Sequence, residues 1–185
     1  MEEITIRPAK PEDAIELQTI MMKGRMTSPA YQEAFWDNLL HCKKRLNEES
    51  VLKKKTQLEQ KQDSEYYKVA EIKKDKKIIA LCHGYEYCKS EELTTLIPHI
   101  EDYGELKWLY VDTTLQSKGV GSLLLQDFEQ WLVCRGKKKC ILRTLSLNLQ
   151  SNWFYKKHWY EDTGIKCPLT MLDITTSLTV YSKDL

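Results

Sequence analysis

Apolar and polar residues alternate along several short stretches of the chain, and this period of two predicts β-strands. The charged tetrapeptide 73–76 separates two of these stretches and is typical of a hairpin turn. A later stretch, 106–111, is apolar on both faces over most of its length, which predicts a strand near the centre of a sheet. The predicted strands cover residues 4–8, 67–72, 77–82, 106–111, 140–145, 160–166 and 172–181.

Apolar residues spaced by three or four positions predict helices between these strands. The first helix begins at Pro11, and Gly24 is its predicted end. A second helical stretch carries apolar residues from 34 to 46, and a short helix is predicted at 150–157. The strongly charged segment 47–65 fits either an exposed helix or a mobile arm.

Residues 106–145 are predicted to form a strand, a glycine loop, a helix and a second strand. A crossover of this length implies that the two strands are parallel, with the helix on one face of the sheet. The helix ends at 135–139, where a glycine and several lysines suit a helix C-terminus. Its apolar stripe consists of Val120, Leu123, Leu124, Phe128, Trp131 and Leu132.

Composition places the chain among globular proteins. The 185 residues are 42% hydrophobic and 30% charged, so we expect one domain over 1–185. A formal net charge of +1 gives no bulk attraction to nucleic acid or to an anionic membrane, and neither is an expected partner. The sequence has no apolar run of about 18 residues and no signal-peptide pattern at its start, so we expect a cytoplasmic protein.

Six cysteines are scattered without a C-x-x-C pair, which predicts reduced thiols. Cys82, His83 and Cys88 suggest a metal site by residue type alone. However, neighbours on a strand point to opposite faces, so Cys82 and His83 are poorly placed to share one ion. We therefore expect no metal.

The glycine loop at 116–121 predicts a phosphate-binding site, because free backbone N–H groups and the helix dipole both favour an anion. A nucleotide-hydrolysing P-loop is excluded, since Ser122 and Leu123 follow the last glycine where Lys and Ser/Thr are required. A dinucleotide fingerprint is excluded as well, because Leu124 occupies the place of its third glycine. The remaining pattern, [QR]-x-x-G-x-[GA], matches Gln116–Gly121 in full.

With this motif the chain resembles the GNAT acyltransferase superfamily, which transfers acetyl from acetyl-CoA to an amine. The strand before the loop ends in Leu109-Tyr110-Val111, which is similar to the family's L-x-V. The stretch 148–160 resembles a second family motif, N-x-x-A-x-x-F-Y-x-K-x-G-F. Asn148, Phe154, Tyr155 and Lys157 match it, Ser151 and Tyr160 are mild changes, and Trp159 replaces the usual glycine.

The resemblance implies a mixed α/β (α+β) fold. Its central sheet would be largely antiparallel, with a parallel, splayed pair formed by the strands at 106–111 and 140–145, and with flanking helices. Acetyl-CoA would be the cosubstrate, bound without a metal.

The resemblance also implies roles for individual residues. Tyr155 falls on the family's acid tyrosine, and Glu105 lies where several members place a general base; a water relay from another carboxylate is the alternative. Backbone N–H groups of 109–111 would stabilise the carbonyl oxygen. The implied cofactor-binding residues are Leu109, Tyr110, Val111, Gln116, Ser117, Lys118, Gly119, Val120, Gly121, Ser122, Asn148, Ser151, Phe154 and Lys157.

The acceptor is expected to be an amine-bearing small molecule or peptide that lies over 22–36 and the long connection 88–104. Acidic residues of that connection, continued by Glu105, suggest a preference for a cationic amine. The alternative function is a catalytically inactive CoA-binding or protein-interaction domain of the same fold. The sequence leaves the oligomeric state open, a homodimer included.

Overall fold

A seven-stranded sheet forms the centre of the protein. The structure, a computed structural model, describes residues 3–35, 47–116, 118–171 and 174–185. The strands are β1 (Ile4–Pro8), β2 (Glu65–Ile72), β3 (Ile78–Tyr85), β4 (Tyr103–Val111), β5 (Lys139–Leu145), β6 (Glu161–Met171) and β7 (Ile174–Asp184).

Helices cover the sheet and connect its strands. Short 3₁₀ turns at Pro11–Asp13, Ile100–Asp102 and Thr113–Leu115 accompany them. The α-helices are α1 (Ala14–Thr27), α2 (Pro29–Phe35), α3 (Glu48–Glu59), α4 (Glu91–Leu96), α5 (Val120–Cys134) and α6 (Leu149–Lys157).

The sheet is mixed and mostly antiparallel, with the strand order β1-β2-β3-β4-β5-β7-β6. β4 and β5 are parallel neighbours, whereas the other adjacent strands pair in the antiparallel sense. β4 is the fourth strand of the seven, so the prediction of a central strand is confirmed. The parallel arrangement follows from the crossover through α5.

A bulge in β4 changes which face of the sheet its side chains occupy. His83 of β3 lies opposite Trp108, but the next residue, Gly84, lies opposite Leu106, so Lys107 is the extra residue. Leu106 and Leu109 therefore pack with the core under α5, while Trp108 packs with the core under α1 and α3. In a regular strand Leu106 and Trp108 would share a face.

Two apolar clusters anchor the helices to the sheet. Beneath α5, the buried residues Leu124, Leu125, Phe128 and Leu132 pack against the sheet. The second cluster holds Leu17, Ile20 and Met21 of α1 and Leu58 of α3, together with β2 and β3 residues. α3 packs through Lys54 and Leu58, and Asn47 caps it by accepting a hydrogen bond from the Ser50 N–H at 2.9 Å. Of the two alternatives for 47–65, the helix is therefore confirmed over 48–59.

Three local predictions need correction or completion. α1 does not end at Gly24 but continues to Thr27; a Cβ at Gly24 would lie 2.8 Å from the Tyr110 ring, so glycine serves a close approach there. α1 ends instead before Pro29, because a proline disfavours the helical conformation of the residue that precedes it. Leu123 is 48% exposed, and Leu125 occupies the inward position. Of the helical stretch predicted at 34–46, residues 36–46 lie outside the described residues.

Candidate active site

The parallel strands β4 and β5 separate partway along their length. They pair from Tyr103↔Lys139 to Leu106↔Leu142, and the register ends there although β4 continues to Val111 and β5 to Leu145. The bulge at Lys107 lies directly beyond the last pair, where it alters the course of β4. Beyond the last pair, the edges of β4 and β5 that face each other have no neighbouring strand.

A cavity of about 310 Å³ occupies this gap. Among the residues that line it are the predicted site residues Leu109, Tyr110, Asn148, Ser151, Tyr155 and Glu105. The structure thus brings both proposed catalytic side chains to one space. Val111 does not line the cavity but lies beside the glycine loop.

The glycine loop presents the N-terminus of α5 to solvent. Gly119 caps the helix with φ +84°, a left-handed conformation that favours glycine. The Gly119 carbonyl accepts the first helical hydrogen bond, from the Leu123 N–H at 3.0 Å. The N–H groups of residues 119–122 therefore have no acceptor within the helix, and they form the positive end of its dipole.

Gly121 lies in contact range of Phe154 and Val111. A Cβ at this position would stand 3.5 Å from the Phe154 ring and 3.5 Å from a Val111 methyl group, which is ordinary contact. Phe154 therefore supports the loop from beneath rather than lining the cavity. Gln116 accepts a hydrogen bond from the Gln150 amide at 3.1 Å, which ties the start of the loop to α6.

The remaining loop and α6 residues differ in their settings. Lys118 is exposed, and Ser117 lies outside the described residues. Asn148 caps α6 by accepting a hydrogen bond from the Ser151 N–H at 3.2 Å, and its side chain also faces the cavity. Lys157 is exposed with its ammonium 5.2 Å from the centre of the Trp153 ring, away from the cavity.

Tyr155 is placed to act as a donor in the cavity. Its side chain is 9% exposed and packs in the core beneath α5. Burial raises the pKa of the Tyr155 hydroxyl above its ordinary value, so the group keeps its proton at neutral pH. A protonated phenol at the cavity wall can donate a hydrogen bond to a leaving sulfur.

Glu105 is buried and held on both carboxylate oxygens. Oε1 accepts a hydrogen bond from the Arg143 guanidinium at 3.0 Å, and Oε2 accepts one from the Lys89 backbone N–H at 2.9 Å. Arg143 also donates to the Ser90 hydroxyl at 3.2 Å. The Glu105 carboxylate is thus held at the cavity wall by Arg143 of β5 and by the Lys89 backbone of the 88–104 connection.

Sequence comparison identifies the family. The model of the acetyltransferase (GNAT) family matches residues 29–159, which is more than half of the chain. The chain belongs to the GNAT family. No curated protein sequence matches it.

Solved structures confirm the GNAT fold. The PaiA N-acetyltransferase of Thermoplasma acidophilum, in complex with coenzyme A, has a TM-score of 0.70 at 17% identity, with 99% of each chain covered. YncA, a putative acetyltransferase from Salmonella typhimurium with its cofactor acetyl-CoA, has a TM-score of 0.62 at 17% identity, covering 98% of this chain and 93% of the other. A GCN5-related N-acetyltransferase from Rhodopseudomonas palustris has a TM-score of 0.72 at 15% identity, covering 100% and 98%.

Sequence reasoning missed one residue of this GNAT site, His158. Its Nδ1 lies 2.8 Å from the Phe154 carbonyl and its Nε2 lies 2.8 Å from the Ser122 hydroxyl. Since a carbonyl only accepts, Nδ1 carries a proton, and in the neutral ring Nε2 accepts from Ser122. His158 links α6 to the first turn of α5. The sequence shows only that His158 follows Phe154 by four residues, one helical turn, and gives no indication of its contact with Ser122.

The acidic residues of the 88–104 connection are not brought together at the GNAT site. Of Glu91, Glu92, Glu101, Asp102 and Glu105, the last alone lines the cavity. Asp102 pairs with Lys138, and Glu105 pairs with Arg143. The described residues of this GNAT chain contain no group of three metal-ligating side chains, and none of their helices is long and apolar enough to span a membrane.

Proposed function

We propose that this GNAT protein, as a single domain over 1–185, is an N-acetyltransferase that moves an acetyl group from acetyl-CoA to a primary amine. The observation that carries the proposal is the gap between β4 and β5, in which Tyr155 and Glu105 line one cavity. Gly121, at the N-terminus of α5, lies beside Val111 of β4 and beside Phe154, the neighbour of Tyr155 in the chain. The fold shared with proteins whose structures hold coenzyme A or acetyl-CoA supports the same conclusion.

The glycine loop fits the diphosphate of coenzyme A. The N–H groups of 119–122 offer hydrogen-bond donors at the positive end of α5, and Gly119 carries no side chain to obstruct them. Lys118, which is exposed beside them, adds a positive charge. A diphosphate bound here would direct the rest of the cosubstrate toward the gap between the strands.

The unpaired part of β4 suits the pantetheine arm and the thioester carbonyl. Backbone groups of β4 beyond Leu106 have no partner on β5 and are available to an extended ligand with amide groups. Asn148 and Ser151 approach the same space from α6. Backbone N–H groups of 109–111 would stabilise the negative charge that develops on the carbonyl oxygen.

The reaction requires the transfer of one proton. The amine nitrogen attacks the thioester carbon directly, a C–N bond forms, the C–S bond breaks, and the proton lost by nitrogen balances the one gained by sulfur. Glu105, directly or through water, receives the amine proton, and Tyr155 donates to the departing sulfur. An alkylammonium with a pKa of about 10.4 must in addition lose a first proton to water before it can attack, so nitrogen loses two protons in all: one is released to solvent, and the other balances the proton gained by sulfur.

A thiol-release assay tests this function. The purified chain is incubated with acetyl-CoA and a panel of primary amines, and free thiol and the mass of the product are measured. Acetylated amine formed together with thiol supports the proposal. Binding of coenzyme A without transfer to any amine would instead support the alternative, an inactive CoA-binding or protein-interaction domain. No binding of coenzyme A would contradict both.

A further inference from the structure

The cavity between β4 and β5 reaches both faces of the sheet. Cys140 and Leu142 of β5 pack in the core under α5, together with Tyr155. Leu145 lies on the opposite face of β5, because side chains alternate along a strand, and it belongs to one apolar cluster with Ala30 of α2. Tyr155 and Leu145 both line the cavity, which therefore extends from the α5 face to the α2 face.

Glu105 places the reacting end of the acceptor on the α2 face. Its Oε1 accepts a hydrogen bond from the Arg143 guanidinium at 3.0 Å. Arg143 and Leu145 are two residues apart on β5, so they share a face and are separated by about 7 Å along the strand. An amine that gives its proton to Glu105 thus lies a few bond lengths from the Leu145 side of the cavity.

The far side of the cavity on this face is apolar. We define the apolar wall as the lining residues from α2, β6, β7 and the end of β5, which are Tyr31, Leu145, Pro168, Leu169 and Leu178. Leu145 and Leu178 are paired on adjacent strands, and Leu169 packs with them in one cluster. Leu169 and Leu178 are only half-buried, so they keep apolar surface that a ligand can cover.

The charged lining residues lie on other elements. Among the described residues they are Arg25 of α1, Glu105 and Lys107 of β4, and Arg143 of β5. Arg25 is engaged at the edge of the apolar wall, since its Nε donates to the Tyr110 hydroxyl at 3.3 Å and Tyr31 interacts with both side chains. The described residues of the apolar wall themselves offer no ionised group to a ligand.

We propose that the acceptor is a primary amine that carries an apolar aliphatic or aromatic group, and that this group packs on the apolar wall while the amine faces Glu105. The inference rests on the proposed acetyltransferase function and specifies its substrate class. It replaces the expectation of a preference for cationic amines, because Glu91, Glu92, Glu101 and Asp102 do not line the cavity. Removal of apolar surface from water on both sides of the contact would favour such an acceptor.

A series of alkylamines tests the contact with the apolar wall. Propylamine, butylamine and pentylamine carry amines of nearly equal basicity and differ in apolar length alone. We expect kcat/KM, measured by thiol release from acetyl-CoA, to rise about two- to fourfold with each methylene, the scale of its transfer out of water. No rise from propylamine to pentylamine would overturn the inference while leaving the acetyltransferase function intact.

Three acceptors of equal chain length test the end group. Pentylamine, 1,5-diaminopentane and 5-aminopentanoate end in a methyl group, an ammonium and a carboxylate. We expect kcat/KM to favour pentylamine by at least about tenfold over both, because the apolar wall leaves either charge without a partner. Faster turnover of the diamine would indicate a cationic acceptor, and faster turnover of the amino acid an anionic one. Either result would overturn the inference.

Variants of Leu169 locate the preference. In Leu169→Asn the ratio of kcat/KM between pentylamine and propylamine should fall about two- to fivefold, and Leu169→Ala, which adds no polar group, should shift it in the same direction. The ratio cancels effects of the substitutions on folding and on acetyl-CoA binding. Leu52→Asn, at a 63% exposed position of α3 outside the cavity, is the matched control and should leave the ratio unchanged. Unchanged ratios in both Leu169 variants would contradict the assignment of the apolar wall.

Failure of the proposed function gives a different result. If no amine is acetylated, the acetyltransferase proposal fails, and saturation-transfer NMR of pentylamine with the protein, with and without coenzyme A, decides the inference. Stronger transfer to the methyl end than to the carbon beside nitrogen, reduced in Leu169→Asn and kept in Leu52→Asn, would support an apolar subsite. Absence of transfer in the native protein would overturn it.

Discussion

His158 Nε2 lies 2.8 Å from the hydroxyl of Ser122, which joins the end of α6 to the first turn of α5. The same ring reaches back to the Phe154 carbonyl through Nδ1, so one imidazole fixes the relation between two helices that meet at the glycine loop. The glycine loop, which we propose to bind the diphosphate of coenzyme A, is thus positioned from two sides, by the strand that precedes it and by α6.

Removal of this imidazole should weaken coenzyme A binding. In His158→Ala the Ser122 hydroxyl and the Phe154 carbonyl lose their partner, and we expect Kd for coenzyme A to rise about fivefold, the scale of one net hydrogen bond. Isothermal calorimetry measures the change. His99→Asn, at an exposed position, is the control and should bind as the native chain does. An unchanged Kd in His158→Ala would show that the contact does not position the loop.

Tyr155→Phe should lower the rate of acetyl transfer without weakening the binding of coenzyme A. The variant loses the hydroxyl but keeps the ring that packs in the core, so kcat should fall roughly ten- to a thousandfold while Kd for coenzyme A changes little. Steady-state kinetics and calorimetry on the same sample provide both numbers. Tyr87→Phe, at a 38% exposed position outside the cavity, is the matched control. Native kcat in Tyr155→Phe would remove Tyr155 from its role.

Two glycines with the same backbone strain allow stability and function to be distinguished. Gly119 and Gly136 have φ of +84° and +74°, and an added Cβ would meet nothing within 4 Å at either position. Alanine at each should lower the free energy of unfolding by about 1 kcal/mol, because L-residues disfavour the left-handed region. Only Gly119→Ala should also weaken coenzyme A binding. Equal affinities of the two variants would contradict the placement of the diphosphate at the loop.

Removing one member of the Glu105–Arg143 ion pair should destabilise the folded protein. Arg143→Gln leaves a buried carboxylate without its cation and should lower the free energy of unfolding by about 3 kcal/mol. Glu105→Gln combined with Arg143→Gln should cost less than the sum of the two single variants, since the charge left behind is then absent. Urea denaturation of the four proteins measures the coupling. Additive losses would mean that the two side chains act independently.

Lys54 should make stability depend on pH in a defined direction. Its pKa is lowered to about 8, first by burial and then by Arg25, whereas an unfolded lysine titrates near ~10.4. Between these values the unfolded chain holds the proton that the folded chain has lost, so the unfolding free energy rises with pH.

Comparison with Lys54→Met isolates this contribution. The difference in unfolding free energy, native minus variant, should increase by about 2 kcal/mol from pH 7.5 to 10. Lys55→Met, at an exposed neighbouring position, should show no such trend. A flat difference for Lys54→Met would mean that the ammonium is solvated in the folded protein.

Local sequence patterns predicted most of the fold because the elements obey simple periods. The parallel pairing of β4 and β5 was predicted as well, because the connection through 112–138 is long enough for a crossover helix. The end of α1 and the side chains of α5 were harder to predict. Gly24 resembles a helix terminator in sequence, but its function is to admit the Tyr110 ring, which is 86 residues away and thus invisible to a local pattern.

The parts of the candidate site that lie on short sequence motifs could be predicted from the sequence. Contacts between charged side chains on different strands could not. The glycine loop and Tyr155 lie on motifs with fixed spacing. The pairing of Glu105 with Arg143 depends on the register of two parallel strands, and the position of Lys107 depends on a single-residue bulge. Neither is encoded in a short window. Glu91, Glu92, Glu101 and Asp102 were therefore expected beside the acceptor, although none of them lines the cavity.

Calorimetric titration with coenzyme A and with pantetheine, which lacks the diphosphate and the 3′-phosphoadenosine attached to it, tests the central claim most directly. We predict one coenzyme A bound per chain, with pantetheine at least tenfold weaker, because the N–H groups of 119–122 contribute only to the diphosphate. No heat with coenzyme A, or equal affinity for the two ligands, would contradict the account.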